Sequence, residues 1–184
     1  MRTTLSMLLL LGKQILTTSP ALAQYHPIRF YIPSGYTILG QASADINGDG
    51  HTDHVIVLRN PYEKMNWDTT RPLLLLAGDG KGSYRLLARN DSVVLCSGSG
   101  GVHGDPFQQV VAGNRRFSVR HFGGSGWRWT RTITFRYDSH RRQFILQSDG
   151  GWSWHTASPD KRTRISNRPQ DVGHVPFQEF TYNR

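Results

Sequence analysis

The chain has 184 residues, of which 37 % are hydrophobic and 19 are glycine. This composition suits one globular domain and argues against wholesale disorder. The longest apolar run, Met7 to Gly12, is far shorter than the ~20 residues of a membrane-spanning helix, which excludes a multi-span membrane protein. Cys96 is the only cysteine, which excludes an internal disulfide framework and a zinc cluster of several cysteines. We expect Cys96 to be buried as a small apolar residue, and pairing with another molecule stays open.

The net charge is strongly positive, formally +9 at pH 7. Two basic residues, Arg2 and Lys13, lie in the first 23 residues, so the rest of the chain carries +7. Most other basic residues follow position 115. They could attract an anionic partner such as an acidic glycan, lipopolysaccharide or an acidic protein, but from the charge alone the favoured interpretation is a solvated basic surface that keeps the protein soluble. Nucleic acid is not favoured, because no block of five like charges and no nucleic-acid-binding motif is present.

The first 23 residues have the features of a secretory signal peptide. Arg2 precedes an apolar stretch, and Ala21 and Ala23 match the pattern of small residues that signal peptidase cleaves. A retained amphipathic helix is the alternative interpretation. We predict cleavage after Ala23, a mature domain over 24–184, and a periplasmic or secreted location.

Strand signals dominate the rest of the chain, where short β-prone runs alternate with Gly, Asn, Asp and Pro. Short connections such as Gly113-Asn114 predict antiparallel neighbours, and 156–170 is predicted to be a long basic loop. We predict an all-β, mostly antiparallel domain: a β-meander or sandwich, or a propeller fragment, with one calcium loop. Its predicted strands are 28–32, 36–42, 54–59, 72–77, 84–88, 92–96, 107–112, 116–122, 127–137, 143–148 and 174–180.

The long strand predicted at 127–137 alternates apolar and polar side chains, as in a sheet with one buried face. Arg131 is the exception, because it falls on the apolar side. We expect it to reach out at the sheet edge or to pair with a buried acid.

The most informative segment runs from Ala44 to Asp53 and reads A-D-I-N-G-D-G-H-T-D. Counted from the first Asp, oxygen-bearing side chains stand at positions 1, 3, 5 and 9, and a glycine at position 6 permits a tight turn. Three carboxylates among several hard oxygen donors favour Ca²⁺, with Mg²⁺ second. A turn of Asn, Asp and Gly without a metal is the alternative. An EF-hand is excluded, because position 12 is Ile56 and a strand follows the loop directly.

This spacing, D-x-N-x-D-G-x-x-D before an apolar strand, resembles the calcium loop of FG-GAP and VCBS repeats. Leu73–Leu76 and the turn Gly78-Asp79-Gly80-Lys81-Gly82 resemble the next strand and Gly-rich turn of those repeats. The resemblance covers about 36–88 and implies a structural Ca²⁺ site. Only one such loop is found, so the remaining strands must complete the core differently. The implied ligands are Asp45, Asn47, Asp49, His51 (through its backbone oxygen) and Asp53.

Two further regions, within 89–155, carry candidate functional residues. The loop C-S-G-S-G-G-V-H-G-D-P-F holds His103 and Asp105. A hydrolase would use His103 together with Asp105 or His121, and it would also need a nucleophile. A structural Gly-rich loop is the favoured interpretation. Two tryptophan pairs at spacing i, i+2 would form a stacking face for sugars if exposed, and core or edge packing if buried. The residues of this candidate ligand face are Trp127, Arg128, Trp129, Trp152 and Trp154.

The strings C-S-G-S-G-G-V-H-G-D-P-F, G-G-S-G-W-R-W and F-R-Y look similar to uncharacterised secreted bacterial proteins, and this resemblance implies no activity. Taken together, the sequence predicts an exported, calcium-binding, non-catalytic β domain. It would bind an envelope or extracellular protein or a glycan through its basic, aromatic second half. The alternatives are a hydrolase and a purely structural envelope component, and 156–184 is predicted to hold a basic loop and a final strand.

Overall fold

The structure, a computed structural model, describes residues 24–63, 65–66, 68–167 and 174–182; the predicted leader lies outside them. The described residues form two antiparallel sheets in which strand order follows chain order, so each sheet is a meander and neither closes into a barrel. The all-β prediction is therefore confirmed. The first sheet contains β1 (Thr37–Ala44), β2 (Asp53–Arg59), β3 (Arg71–Gly78) and β4 (Tyr84–Val94). The second contains β5 (Phe107–Gly113), β6 (Arg116–Gly124), β7 (Trp127–Asp138), β8 (Gln143–His155) and β9 (Arg162–Asn167).

The two sheets pack face to face over one apolar core. Val55 and Leu75 of the first sheet join Phe117 and Phe135 of the second in a single cluster of buried side chains. Phe177, from the C-terminal segment, packs edge-on against Phe117 and Phe135 at centroid distances of 5.5 and 5.2 Å. The C-terminal segment therefore completes the core of a β-sandwich.

The first sheet is covered on its other face as well. Ile56, Leu58, Leu74 and Leu76 form a second buried cluster, against which the side chains of the N-terminal residues 28–36 pack. This double burial explains why β2 and β3 are apolar at nearly every position, as expected for central strands covered on both sides.

Two of the predicted strands are short 3₁₀ helices instead. Ile28–Tyr31 is a 3₁₀ helix placed directly after Pro27, and Phe177–Glu179 is another, directly after Pro176. In both places a proline fixes its own φ and offers no N–H to a ladder, so regular pairing does not extend through it. The prediction of strands at 28–32 and 174–180 is therefore wrong.

Two other boundaries also differ. The predicted strands 84–88 and 92–96 are one strand, β4, which pairs with β3 on both sides of a bulge: Leu73 pairs with Asn90, and Arg71 pairs with Val94. At this bulge, Asn90 Oδ1 accepts the N–H groups of Ser92 and Val93. Its amide donates to the carbonyls of Phe177 and Phe180 at 2.6 and 2.8 Å. The predicted loop 156–170 contains β9, an edge strand with arginines facing solvent, which is a usual way to protect a sheet edge.

Within the described residues, no helix is long and apolar enough to cross a membrane.

A buried ion-pair cluster ties the two sheets together. Arg71 of β3 is fully buried, and its guanidinium donates to both carboxylate oxygens of Asp105 at 2.7 and 2.6 Å. Its Nε donates to buried Glu63. Burial alone would raise the pKa of Asp105, but the hydrogen bonds from Arg71 and from the Phe107 N–H, together with the charges of Arg71 and Arg59, outweigh it and hold that pKa below its ordinary value. Asp105 stands just before β5, so this pair joins the first sheet to the start of the second.

Replacing Asp105 by Asn should lower the free energy of unfolding by about 2 kcal/mol at pH 7, because buried Arg71 loses its charge-assisted partner. A carboxyl with a lowered folded pKa stabilises above its unfolded pKa of about 3.9 and ceases to do so as the pH falls through the folded value. The difference between D105N and the unchanged protein should therefore shrink below pH 4. Urea unfolding of both proteins, at pH 7 and below pH 4, measures this difference in the free energy of unfolding. The control is D91N, whose ion pair with Arg89 is exposed; an equal loss in both variants would contradict the prediction.

Candidate functional site

The predicted calcium loop connects β1 to β2 and coils tightly. Ala44 pairs with Asp53 across the first ladder, so Asp45 and Asp53 stand at the two ends of the loop. Gly48 and Gly50 have φ of +79° and +87°, a region that side chains with a Cβ rarely adopt. These two glycines let the chain turn back on itself within nine residues.

Carboxylate and amide oxygens hold the coil from inside. Asp45 Oδ1 accepts the N–H groups of Gly48 and Asp49 at 2.6 and 3.1 Å, and Asp45 Oδ2 accepts that of Gly50 at 3.0 Å. Asn47 Oδ1 accepts the Asp49 N–H at 2.8 Å, and Asp49 Oδ1 accepts the His51 N–H at 2.9 Å. The side chains at the predicted ligand positions therefore all point toward the loop interior or its own backbone.

Asp53 is the buried end of this arrangement, with no exposed surface. Its Oδ2 accepts the N–H groups of Ile46 and Asn47 at 3.0 and 3.2 Å, and its Oδ1 accepts that of Gly78 at 3.0 Å. Burial raises the pKa of Asp53 above its ordinary value; the Gly78 N–H opposes this rise and the charge of Asp49 adds to it. The carboxylate is thus held in place by the backbone but lacks a nearby cation.

A metal ion could be held here. Asp45, Asp49 and Asp53 each place one carboxylate oxygen within 4.8 Å of the others, which allows the three to share one ion. The donor set consists of hard oxygens, which suit a divalent cation of the Ca²⁺ or Mg²⁺ type and not a thiolate-seeking or imidazole-seeking metal. Asn47 is buried beside them, whereas the ring of His51 faces the turn at Gly80, so its part in a site would be through its backbone.

The loop contacts the second sheet through Arg115, in the turn between β5 and β6. The Arg115 N–H donates to the carbonyl of Asp45 at 3.0 Å, and the Arg115 carbonyl accepts the N–H of Tyr137 at 2.8 Å. Its guanidinium lies against Gly48, where an added Cβ would stand 2.7 Å from Cζ. The metal-binding geometry therefore depends on contacts with both sheets.

The structure does not bring the five residues of the candidate ligand face together. Trp127 and Trp129 lie on the side of β7 that carries Ile133 and Phe135, which face the core. Trp129 packs over Gly123, and Trp127 is 62 % exposed beside the ring of His155.

Trp152 and Trp154 lie on the opposite, solvent-facing side of the same sheet. They pair with Thr130 and Arg128, which point away from the core. The Arg162 guanidinium lies over the ring of Trp154 at 5.1 Å, while Trp152 is 46 % exposed. Arg131 is the predicted exception on the core side, where it pairs with buried Asp149 at 2.6 and 2.5 Å.

The solvent-facing side of the five-stranded sheet, here called the arginine face, is strongly basic. Among the described residues, none of its six arginines has a carboxylate partner; the carboxylate of this face, Asp138, stands at the end of β7 and bonds Arg141. The sequence shows most of these arginines only as a basic cluster in the second half and assigns Arg128 alone to a ligand face, although those in β6, β7 and β9 stand at alternate positions, which is the signal of a shared strand face. The arginine face is defined by Arg116, Arg120, Arg128, Arg136, Arg162 and Arg164.

The residues of the hydrolase alternative are not assembled into a catalytic group. Both carboxylate oxygens of Asp105 are bonded to Arg71, and the ring of His103 packs at a tilt against that of Phe122, with the ring centroids 4.9 Å apart. His121 is 2 % exposed, and burial lowers its pKa to about 4. Its Nε2 accepts the Leu95 N–H at 3.3 Å. Among the described residues, no nucleophile–histidine–acid arrangement links these side chains.

Cys96 is half-buried and not fully buried as expected. Its Sγ lies 2.9 Å from the hydroxyl of Ser99, in the first turn of the 3₁₀ helix Ser97–Gly100.

Comparison of the chain with protein-family models gives no match, and neither do comparisons with curated proteins or with solved structures. The function is therefore inferred from the residues of the loop and of the arginine face.

Gly48→Ala should destabilise the protein more than Gly50→Ala. Both substitutions force a Cβ into a positive-φ position, which costs about 1–2 kcal/mol, but only the first also displaces Arg115; nothing lies within 4 Å of a Cβ at Gly50. Urea unfolding of both variants measures the difference. In an R115A background the two substitutions should cost the same, and a difference that persists there would contradict the role of Arg115.

Proposed function

We propose that this protein is a calcium-stabilised, non-catalytic binding domain that works outside the cytoplasm and recognises an anionic partner through its arginine face. The observation that carries the proposal is that face: six arginines that have no carboxylate partner in the part of the chain that the structure describes, with one half-exposed tryptophan among them. A sheet surface of this kind attracts anions over a distance and offers planar, bidentate donors on contact.

Calcium has a structural role in this proposal. Three carboxylates crowd into one loop, and Asp53 is buried with its pKa raised, so a divalent cation would offset a repulsion that the backbone N–H groups offset only in part. Mg²⁺ is the weaker candidate, because it demands a stricter octahedron and retains more water. The resemblance of the loop to FG-GAP and VCBS repeats supports Ca²⁺ as well.

The loop lies away from the arginine face, but the two are joined through the chain. Arg115 contacts the loop, and the next residue, Arg116, begins the arginine face. An ion in the loop would therefore fix the turn from which β6 starts. This is the expected place of a structural ion: it orders the scaffold without touching the ligand.

The hydrolase alternative has less support. Asp105, which would orient a catalytic histidine, has both oxygens engaged by Arg71, and this gives it a clear structural role. His121 is buried on the core side of the second sheet, and its lowered pKa keeps the imidazole ring neutral near pH 7. A purely structural envelope component would not require a face with six arginines that have no carboxylate partner among the described residues.

Calcium should bind to the loop and raise the melting temperature. Asp49→Asn should then show separately how the charge of Asp49 affects calcium affinity and how it affects stability without calcium. With calcium, D49N loses a ligand charge and its affinity should fall at least about tenfold. In chelator, D49N should be as stable as the unchanged protein or more so, because the repulsion between Asp49 and Asp53 is removed. Calorimetry and melting curves measure both.

The control for this experiment is Asp160→Asn, an exposed carboxylate outside the loop, which should change neither quantity. Absence of any calcium-dependent heat or melting shift would overturn the calcium part of the proposal.

Removing two charges from the arginine face should abolish most binding to polyanions. Arg120→Gln with Arg164→Gln should weaken binding to dextran sulfate at least about tenfold at low salt, since each lost charge-assisted hydrogen bond is worth about 1.5–3 kcal/mol. The matched control is Arg29→Gln with Arg85→Gln, two arginines outside this face. Equal weakening in both double variants would show that only net charge matters and would contradict the assignment of this face.

A further inference from the structure

Three shallow depressions follow one another across the arginine face. The first, of about 440 Å³, is lined by Arg115, Arg136 and Gln147, with His140 and His174 at its rim. The second, of about 330 Å³, lies between Arg116, Arg120 and Thr134 and shares Gln147 with the first. The third, of about 270 Å³, is lined by Trp152 and Arg164 and shares Ser148 with the second. The shared residues place the three depressions side by side, and together they are called the groove here.

The groove is long enough for several units of a linear ligand. Five strands spaced ~4.8 Å apart span about 20 Å, and the depressions together touch all of them: the second is lined by β5 to β8, the third by β7 to β9, and the first lies where β7 ends and β8 begins. Cationic groups line each depression. Of the two carboxylates among the lining residues, Asp138 bonds Arg141 and buried Asp149 bonds Arg131. A compact anion would fill one depression, whereas an extended polyanion would engage all three.

Hydroxyl groups line the groove between the arginines. They belong to side chains that face solvent from the central strands β6, β7 and β8 and from the edge strand β9. A hydroxyl can both donate and accept a hydrogen bond, which suits a ligand that is itself rich in hydroxyls. A phosphodiester backbone or a row of carboxylates would use only donors. These residues are Ser118, Thr130, Thr132, Thr134, Ser148 and Ser166.

Trp152 supplies the one large apolar surface inside the groove. It is 46 % exposed, lines the third depression and pairs across the ladder with Thr130 and Arg164. Its neighbour Trp154 is covered by Arg162 and stacks on Phe122 at 6.3 Å, so that ring is already occupied. An exposed indole beside a guanidinium and a hydroxyl offers a flat apolar contact next to charge and hydrogen bonds.

Resting on the proposed function, we infer that the ligand of the arginine face is a linear anionic polysaccharide, with carboxylate or sulfate groups on hydroxyl-rich rings. Its charged groups lie against the arginines of the three depressions. Its ring hydroxyls bond the Ser and Thr rows, and one ring stacks on Trp152. Acidic proteins are less complementary because the middle of the groove is polar, and DNA is less complementary because its backbone presents almost no hydroxyls.

The test compares binding of the mature domain, in calcium, to polygalacturonate, dextran sulfate, uncharged dextran, polyglutamate and duplex DNA by calorimetry at several salt concentrations. We expect one of the two charged polysaccharides to bind more tightly than polyglutamate and DNA at physiological salt, and dextran not to bind. Trp152→Ala should weaken polysaccharide binding about 5- to 10-fold. Thr132→Val, which removes a hydroxyl at nearly constant volume, should weaken it about 3- to 10-fold. Neither variant should change binding to polyglutamate.

Arg29→Gln, on the far side of the sandwich, is the control and should leave all affinities nearly unchanged; melting curves check that each variant is folded. Polyglutamate or DNA binding as tightly as both polysaccharides, with no effect of W152A and T132V, would overturn the polysaccharide inference and leave an anion-binding face standing. Absence of binding to every polyanion would overturn both the inference and the proposed function.

Discussion

The carboxylate of Asp53 holds the first sheet in the geometry on which the other features depend. It is buried, and it accepts backbone N–H groups from the loop before β2 and from Gly78 at the end of β3. A charged group is stable in such a place only because several N–H dipoles converge on it. The same bonds coil the loop, which sets the position of Asp45 and, through the Asp45 carbonyl, of Arg115. The arrangement of the second sheet at this end therefore begins with a carboxylate of the first.

A single irregularity in β8 decides which side chains face solvent. Leu146 faces the core opposite Phe135, and Ser148 faces solvent opposite Thr134, so Gln147 is an extra residue in the ladder. Strict alternation from Leu146 would put Trp152 and Trp154 on the core side, with Trp127 and Trp129. The bulge moves them to the other side, beside the arginines. It also places Asp149 on the core side, where Arg131 needs a partner.

These particulars show how far the sequence predicts this protein. The apolar runs of β2 and β3, the turns between strands and the coil from Asp45 to Asp53 follow from local patterns, because period-2 alternation and glycine conformations are local properties. The bulge at Gln147 has no comparable local signal. The sequence therefore suggests one face for both tryptophan pairs, whereas the structure places them on opposite sides of the sheet. The pairing of β9 with β8 was missed because a polar edge strand resembles a loop in sequence. Predicting the arginine face requires the register of four pairs of neighbouring strands, and the sequence of a single strand does not contain that information.

The burial of charge differs between the two sides of the second sheet, and this difference has a physical cause. On the core side each arginine is matched: Arg131 with Asp149, and Arg71 of the facing sheet with Asp105 and Glu63. An unmatched charge there would carry its full desolvation cost. On the solvent side that cost is absent, so six arginines can stand without carboxylates at little expense in stability, and they repel one another only weakly through water. Within the second sheet, the unmatched arginines thus lie on the solvent side, where they cost little stability and are available to a ligand. That distribution is why the arginine face, and not the buried ion pairs, is the place where this fold can bind an anion.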